Sequence, residues 1–248
     1  MAAKMKHKKL AFMIGLCLII YAIYFFFQDS KINYIALGDS LSLGMNAYGE
    51  TGYGYSDYIA SYLEREEQLK SYSKDFAGAG YRIADLEHQL ETNQLITTKK
   101  GELSLKKCLR ESQLVTLSIG GNDLLSSLNI SSLDIDALDE EAILQMIDET
   151  LKHLDQLFKQ LRKYAKGDII FIGYYNSFHS TTLPIERIFT YLNYNLEEIC
   201  QKYDIDFVNT YTLFKQNKDY LPNPTNIHPS TQGYEAIAKQ IIKIFENK

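Results

Sequence analysis

Residues 35 to 44 read IALGDSLSLG. An apolar run stops at a glycine, an aspartate and a serine. Those are turn residues, and strands commonly end in turns. The same turn would also hold a hydroxyl at the carboxyl end of a buried strand. The rest of the chain decides between the two readings, because the pattern around this run repeats.

KINYIALG (31–38) reads as a first strand, and Tyr55 to Leu69 carries apolar residues at helical spacing before a charged end. SYSKDFAG (71–78) reads as a second, weaker strand and YRIADLEHQLETN (81–93) as a helix with Ile83, Leu86 and Leu90 on one face. Residues 99–111 read as a further short helix. LVTLSIGG (114–121) is β-branched, apolar and closed by two glycines, a third strand. Residues 138–165 form a long helix, acidic in its first turn and basic in its last, as the helix dipole favours. DIIFIGYY (168–175) is a fourth strand, Pro184 opens a helix to about Tyr203, IDFVNTY (205–211) is a fifth strand, and the last helix begins at or just after Ser230. Residues 124–138 are an unassigned insertion. Strand and helix in alternation imply an α/β fold, a parallel sheet covered on both faces.

The 248 residues are 46% hydrophobic and carry a net charge of −5, which offers no basic surface for nucleic acid. Such a length buries a large core without staples. Lys4, Lys6, Lys8 and Lys9 precede an uncharged stretch from Leu10 to Phe27. As a helix that stretch rises ~27 Å, close to the hydrocarbon thickness of a bilayer. It predicts a cytoplasmic basic tip and an N-terminal transmembrane signal-anchor within residues 1–29, with one domain, 30–248, on the far side of the cell membrane. A cleaved signal peptide is the alternative, although no A-x-A pattern follows the run. Cys17 falls inside it. Cys108 and Cys200 are expected to be free, buried and inert, and no metal-ligand or cofactor motif is present.

In open parallel sheets, ligands bind outside the carboxyl ends of the strands. Four stretches meet that condition: Gly38-Asp39-Ser40-Leu41, FAGAG ending at Gly80, Gly120-Gly121-Asn122-Asp123, and Asn226-Ile227-His228-Pro229. Each alone is weak, and all four in this order are specific. On these residues the chain, from about Asn33 to its C-terminus, resembles the GDSL or SGNH hydrolase family of esterases and lipases. It looks most like the membrane-anchored, lysophospholipase-like members of Gram-positive bacteria. The resemblance implies a flavodoxin-like three-layer α/β/α sandwich with a five-stranded parallel sheet. It implies Ser40 as nucleophile, His228 as its base, and an oxyanion hole from the backbone N–H groups of Ser40 and Gly80 and the side chain of Asn122. A serine hydroxyl needs an adjacent base, and the oxyanion needs donors aimed at it.

One position departs from that family. Its acid, three residues before the histidine, is here Thr225. Thr225, Asn226 or a backbone carbonyl can orient His228, or Asp219 can supply the missing carboxylate, or the protein is inactive. Asp39 and Asp123 are expected to fix their own turns. His88 and His153 fall in helices. Two tyrosine-rich loops, 45–58 and 173–180, offer Tyr48, Tyr53, Tyr175, Phe178 and His179 as pocket residues, and Tyr81 follows Gly80. The expected reaction is hydrolysis of a lysophospholipid or other acyl ester by a monomer without cofactor. Removal of O-acetyl groups from a wall or surface polysaccharide is the second reading. A membrane-tethered lipid- or glycan-binding module without turnover is the third.

Overall fold

A computed structural model describes residues 31–99, 101–127, 139–178 and 183–248. The expected anchor and the insertion from residue 128 onward lie outside them. Among the described residues, no helix is long and apolar enough to cross a membrane.

In chain order the elements are β1 (Ile32–Gly38), α1 (Ser40–Leu43), α2 (Tyr55–Arg65), β2 (Leu69–Ser73), α3 (Ile83–Thr92), β3 (Leu95–Thr98) and β4 (Gly101–Ser104). Then come α4 (Leu105–Glu111), β5 (Leu114–Ser118), α5 (Gly121–Ser127), α6 (Glu140–Tyr164), β6 (Asp168–Ile172) and α7 (Ile185–Lys202). The chain ends with β7 (Ile205–Val208), α8 (Thr210–Lys215), a 3₁₀ turn (Lys218–Tyr220) and α9 (Thr231–Glu246). Five strands pair in the order β2-β1-β5-β6-β7, every pairing parallel. Counting only these strands gives 2-1-3-4-5, the order of flavodoxin-like sheets, whose topology reverses between the first and third strands.

The sheet's two faces follow from side-chain alternation along each strand. Ile35 and Leu37 of β1 and Ile169 and Phe171 of β6 join a core with α3, α4, α6 and α7. Tyr34 and Ala36 of β1 and Ile170 and Ile172 of β6 face the other way, against α2, α8 and α9. All five residues of β5 are buried, Thr116 and Ser118 included, which is why it reads in sequence without a charged or exposed-face position. The helices turn their apolar stripes inward, Ile147, Leu151, Leu154, Phe158 and Leu161 in α6 for example.

Two elements differ from the sequence expectation. Residues 99–111 are not one helix: Gly101–Ser104 pairs with Leu95–Thr98 as an antiparallel hairpin, and only Leu105–Glu111 is helical. Gly101, at φ +119°, supports that reversal. The second strand is Leu69–Ser73, not Ser71–Gly78, because Lys74 starts a turn closed by the Ala77 N–H to Lys74 carbonyl bond. Lys74 instead reaches away from the strand, donating to the Leu43 carbonyl at 2.9 Å and to Asp57 at 2.7 Å. Cys108 and Cys200 are both free; Cys200 is buried and Cys108 only half-buried.

At the reversal point β1 and β5 end side by side. Gly38 sits at φ +116°, and a Cβ there would lie 1.8 Å from the Ser118 carbonyl oxygen. The next N–H, that of Asp39, donates to that oxygen at 2.8 Å. Gly38→Ala therefore combines a left-handed strain with a backbone clash. Its cost of more than ~2 kcal/mol corresponds to a fall in Tm of at least ~5 °C in a chain of this size. A thermal melt of Gly38→Ala superimposing on the parent would contradict this account of the turn.

Candidate active site

Four loops converge at the carboxyl ends of β1, β2, β5 and β7. Asp39 leaves β1 in extended geometry and caps α1, its Oδ1 accepting the Leu41 N–H at 3.0 Å. Ser118, the last residue of β5, donates its hydroxyl to the same oxygen at 3.0 Å. Ser40 is thereby placed at the first turn of α1, nearly buried. Behind it, Ser42 donates to the Leu37 carbonyl at 2.6 Å and meets the Tyr55 hydroxyl at 2.7 Å.

The loop after β2 is tied to the same turn, the Gly78 N–H donating to the Gly38 carbonyl at 2.9 Å. Two residues on, Gly80 is exposed and takes φ +76°, a conformation that glycine adopts without penalty. The Tyr81 carbonyl then accepts from the Asn122 side-chain amide at 2.9 Å. That amide carries two hydrogens. One is held by Tyr81, which fixes the rotation of the group; among the described residues the other makes no bond. Asp123 does not close its own turn. Its Oδ2 accepts the Ile83 N–H at 3.1 Å, at the start of α3, so it joins the Asn122 turn to the Gly80 loop.

His228 arrives from the loop before α9, and its Nε2 lies 2.7 Å from Ser40 Oγ. The loop is held at several points. Tyr175 donates its hydroxyl to the Ile227 carbonyl at 2.8 Å, and Asn223 donates to the Ala47 carbonyl at 2.8 Å. Ser230 caps α9 through the Gly233 N–H and donates its own hydroxyl to the Asp219 carbonyl.

Of the three candidate side chains for orienting His228, only Asn226 touches it. Asn226 Oδ1 lies 2.6 Å from His228 Nδ1 and 2.9 Å from the His228 backbone nitrogen. A backbone N–H can only donate, so the amide atom facing it must be the oxygen. Nδ1 must then carry the ring hydrogen, and Nε2 is left as an acceptor toward the Ser40 hydroxyl. The two positions favoured by spacing and charge are engaged elsewhere. The Thr225 hydroxyl donates to Asn223 Oδ1 at 2.9 Å, and Asp219 meets this region through its backbone carbonyl. Sequence spacing pointed three residues upstream of His228. The contact comes from two upstream, because an Asx turn from Asn226 to the His228 N–H swings the same oxygen onto the ring.

Burial lowers the His228 pKa below its ordinary value and raises that of the Asp39 carboxyl to about 7. Asp123 is raised as well, again chiefly by burial.

The proposed pocket aromatics divide. Tyr175 and Phe178 line an apolar cavity beside Ser40. Tyr48 and Tyr53 do not: they are 76% and 50% exposed, and Tyr53 packs edge-on against Tyr58. Tyr81 acts on the site through its carbonyl. His179 lies outside the described residues. Ser118 and Tyr174 were not legible as site residues. Tyr174 also lines the cavity, and its hydroxyl donates to the Ile119 carbonyl at 2.8 Å.

The arrangement matches known proteins along most of the chain. Two Bacillus proteins align with it. The spore germination lipase LipC of Bacillus licheniformis is 25% identical, covering 85% of this chain and 94% of its own. YpmR of Bacillus subtilis is 24% identical, covering 86% of this chain and 81% of its own. Among solved structures, the lipase Lip_vut3 from a goat rumen metagenome superposes with a TM-score of 0.66 at 23% identity, over 85% of this chain and 95% of that one. The acetylxylan esterase Axe2 of Geobacillus stearothermophilus gives 0.59 at 19% identity, over 85% and 92%. Residues 36–236 match the GDSL-like lipase/acylhydrolase family, and the chain belongs to that family as a carboxylic ester hydrolase.

Proposed function

We propose that the chain hydrolyses acyl esters through an acyl-enzyme on Ser40, with His228 as its base. The observation that carries the reading is the 2.7 Å contact between Ser40 Oγ and His228 Nε2, with the ring's tautomer set by Asn226. As Oγ attacks the ester carbonyl, its proton passes to Nε2 and the carbonyl electrons move onto oxygen. The side-chain amide of Asn122 and the backbone N–H groups of Ser40 and Gly80 are the donors for that oxyanion. Collapse of the intermediate breaks the bond to the leaving alcohol, which takes the proton from Nε2. Water then repeats the cycle on the acyl-enzyme, His228 first accepting its proton and then returning one to Ser40.

A carboxylate is not essential for the first of these proton transfers. In a Ser-His-Asp site, replacing the acid by its amide costs ~10,000-fold because the wrong tautomer results. Here the His228 backbone N–H holds the Asn226 oxygen against Nδ1, so the productive tautomer is kept. What the amide cannot supply is a full negative charge against imidazolium.

Ser40→Ala should abolish release of p-nitrophenol from a short acyl ester, and Asn122→Ala should lower kcat by ~100–1,000-fold with the fold intact. Steady-state assays with circular dichroism decide it; an Asn122→Ala protein as active as the parent would remove that amide from the oxyanion hole.

The pH profile tests the base. Burial disfavours imidazolium, so neutral His228 persists as pH falls through the ordinary imidazole value near ~6.5. The acid limb of kcat/KM should therefore lie below ~6.5. Asn226→Asp places an anion on Nδ1 and should move that limb to higher pH. Asn226→Ala should cost on the order of 100-fold without moving a limb the other way past the parent's. Identical profiles for the parent and Asn226→Asp would sink the assignment.

The lysines before Leu10 and the uncharged run to Phe27 support a chain held in the cell membrane with residues 30–248 outside. Fractionation should then recover it with membranes after a high-salt wash, and added protease should digest the domain on intact cells. A soluble protein whose N-terminus lies near residue 30 would show cleavage instead.

A further inference from the structure

The cavity beside Ser40 is the one feature of the site that the chemistry above does not use. It is an apolar space of about 120 Å³. Its lining includes Leu41, Gly121 and Ile227. Each is the immediate chain neighbour of a residue already placed at the reacting carbonyl: Ser40, Asn122 and His228. It also includes Ile143 and Ile147 of α6 and Ile188 and Leu192 of α7, all buried aliphatic side chains. Asp39 is the one ionisable carboxyl or amine among the described lining residues, and its carboxyl is bonded to Leu41 N–H and the Ser118 hydroxyl. Tyr174 and Tyr175 also line it, but their hydroxyls are spent on the carbonyls of Ile119 and Ile227. What they offer the cavity is ring surface.

Size and chemistry together restrict what can enter. A dry apolar cavity of ~150 Å³ lined by Leu, Ile and Phe takes up benzene, a molecule of six carbons. At about 120 Å³ this space suits a comparable load. It is larger than an acetyl methyl needs, and a palmitoyl chain would have to run on beyond it.

We infer that this cavity is the acyl site of the hydrolase, and that it selects esters of straight medium-length acids, about four to eight carbons, by closing against Ile143, Ile147 and Leu192. The inference rests on the Ser40 reading for the direction in which the acyl group points. Within that reading it disfavours both acetylated sugars and long-chain lysophospholipids as the best substrates. Each methylene that fits should add about fourfold to kcat/KM, since burying one is worth that factor in binding. From acetyl to hexanoyl, four methylenes, the gain should be up to ~250-fold, followed by a fall for chains that reach the wall.

The test is a p-nitrophenyl ester series of two, four, six, ten and sixteen acyl carbons, run on the parent, Ile147→Phe and Ile147→Ala. Filling the cavity with Phe should lower the hexanoate-to-acetate ratio at least ~10-fold, and Ala should move the optimum toward longer chains. Alongside it, calorimetric titration of the Ser40→Ala protein with octanoate, acetate and palmitate measures the cavity without turnover. Preferential octanoate binding, weakened in the double variant Ser40→Ala/Ile147→Phe, supports the site. A flat or acetate-centred series, unchanged in both Ile147 variants and matched by indifferent titrations, overturns it while leaving Ser40 hydrolysis in place. Octanoate preference with no Ser40-dependent turnover of any ester does the reverse: the cavity stands as an acyl site and the hydrolytic reading fails.

Discussion

The close approach of β1 and β5 at their carboxyl ends is the constraint on which the site depends. The absence of a side chain on Gly38 lets the two strand ends meet, and the Asp39 N–H then reaches the Ser118 carbonyl at 2.8 Å. From there the Asp39 side chain starts α1, and Ser40 occupies its first turn. The same glycine's carbonyl holds Gly78, which fixes the loop carrying Gly80 and Tyr81. Tyr81 in turn sets the rotation of Asn122. A single tight junction at the topological reversal of the sheet therefore propagates to three of the four loops. It also explains why the constellation forms here, since the crevice outside the strand ends opens where connections leave in opposite directions.

The fourth loop is positioned separately, by polar contacts of modest individual strength. Tyr175 donates to its Ile227 carbonyl, Asn223 ties it to the Ala47 carbonyl, and Ser230 ties it to the Asp219 carbonyl. A neutral bond of this kind contributes ~1 kcal/mol net. Their importance lies in geometry: displacing His228 by an ångström would break a contact that spans 188 residues of chain. Asn226 gains from the same arrangement, because one oxygen serves both the backbone and the ring of His228.

The legibility of these features in sequence tracks burial. β5 and β6, covered on both faces, show as continuous apolar runs, and α6, α7 and α9 as amphipathic periods. The β3–β4 hairpin was hidden because its strands are four residues each and half exposed, while Leu105 and Leu109, four apart, carry a helical spacing just after them. Ser40, Gly80 and Asn122 stood out as candidates because each comes after a strand in its own motif, and His228 because its motif opens the last helix. The orienter was not singled out from Thr225, Asn226 and Asp219, since an Asx turn is set by backbone dihedrals that spacing does not encode. Nor did composition separate Tyr175, which lines the cavity, from Tyr48 and Tyr53, which face solvent. All three lie in loops of similar character, and what distinguishes Tyr175 is its stacking on Phe214 of α8 and its bond to the Ile227 carbonyl.

Asp39 shows what the site costs the fold. Its carboxyl is 3% exposed and its pKa is raised from an ordinary value near ~3.9 to about 7. The native state thus binds the proton more tightly than the unfolded chain does. The sign follows: the contribution of this carboxyl to stability is fully present below ~4, and it is lost as pH rises through about 7 and the buried group must ionise. Three pKa units correspond to about 4 kcal/mol at the alkaline end, a large fraction of the stability of a typical domain. Two hydrogen bonds, from Leu41 N–H and the Ser118 hydroxyl, offset only part of that desolvation. A carboxyl that opposes folding at neutral pH is retained where it also determines where the Ser40 hydroxyl points. Its contribution is therefore to the geometry of the turn. Burial acts on His228 in the complementary direction, keeping the imidazole uncharged. Both effects favour a weakly charged, water-poor environment around Ser40, in which donors aimed at an oxyanion act with little competition from solvent.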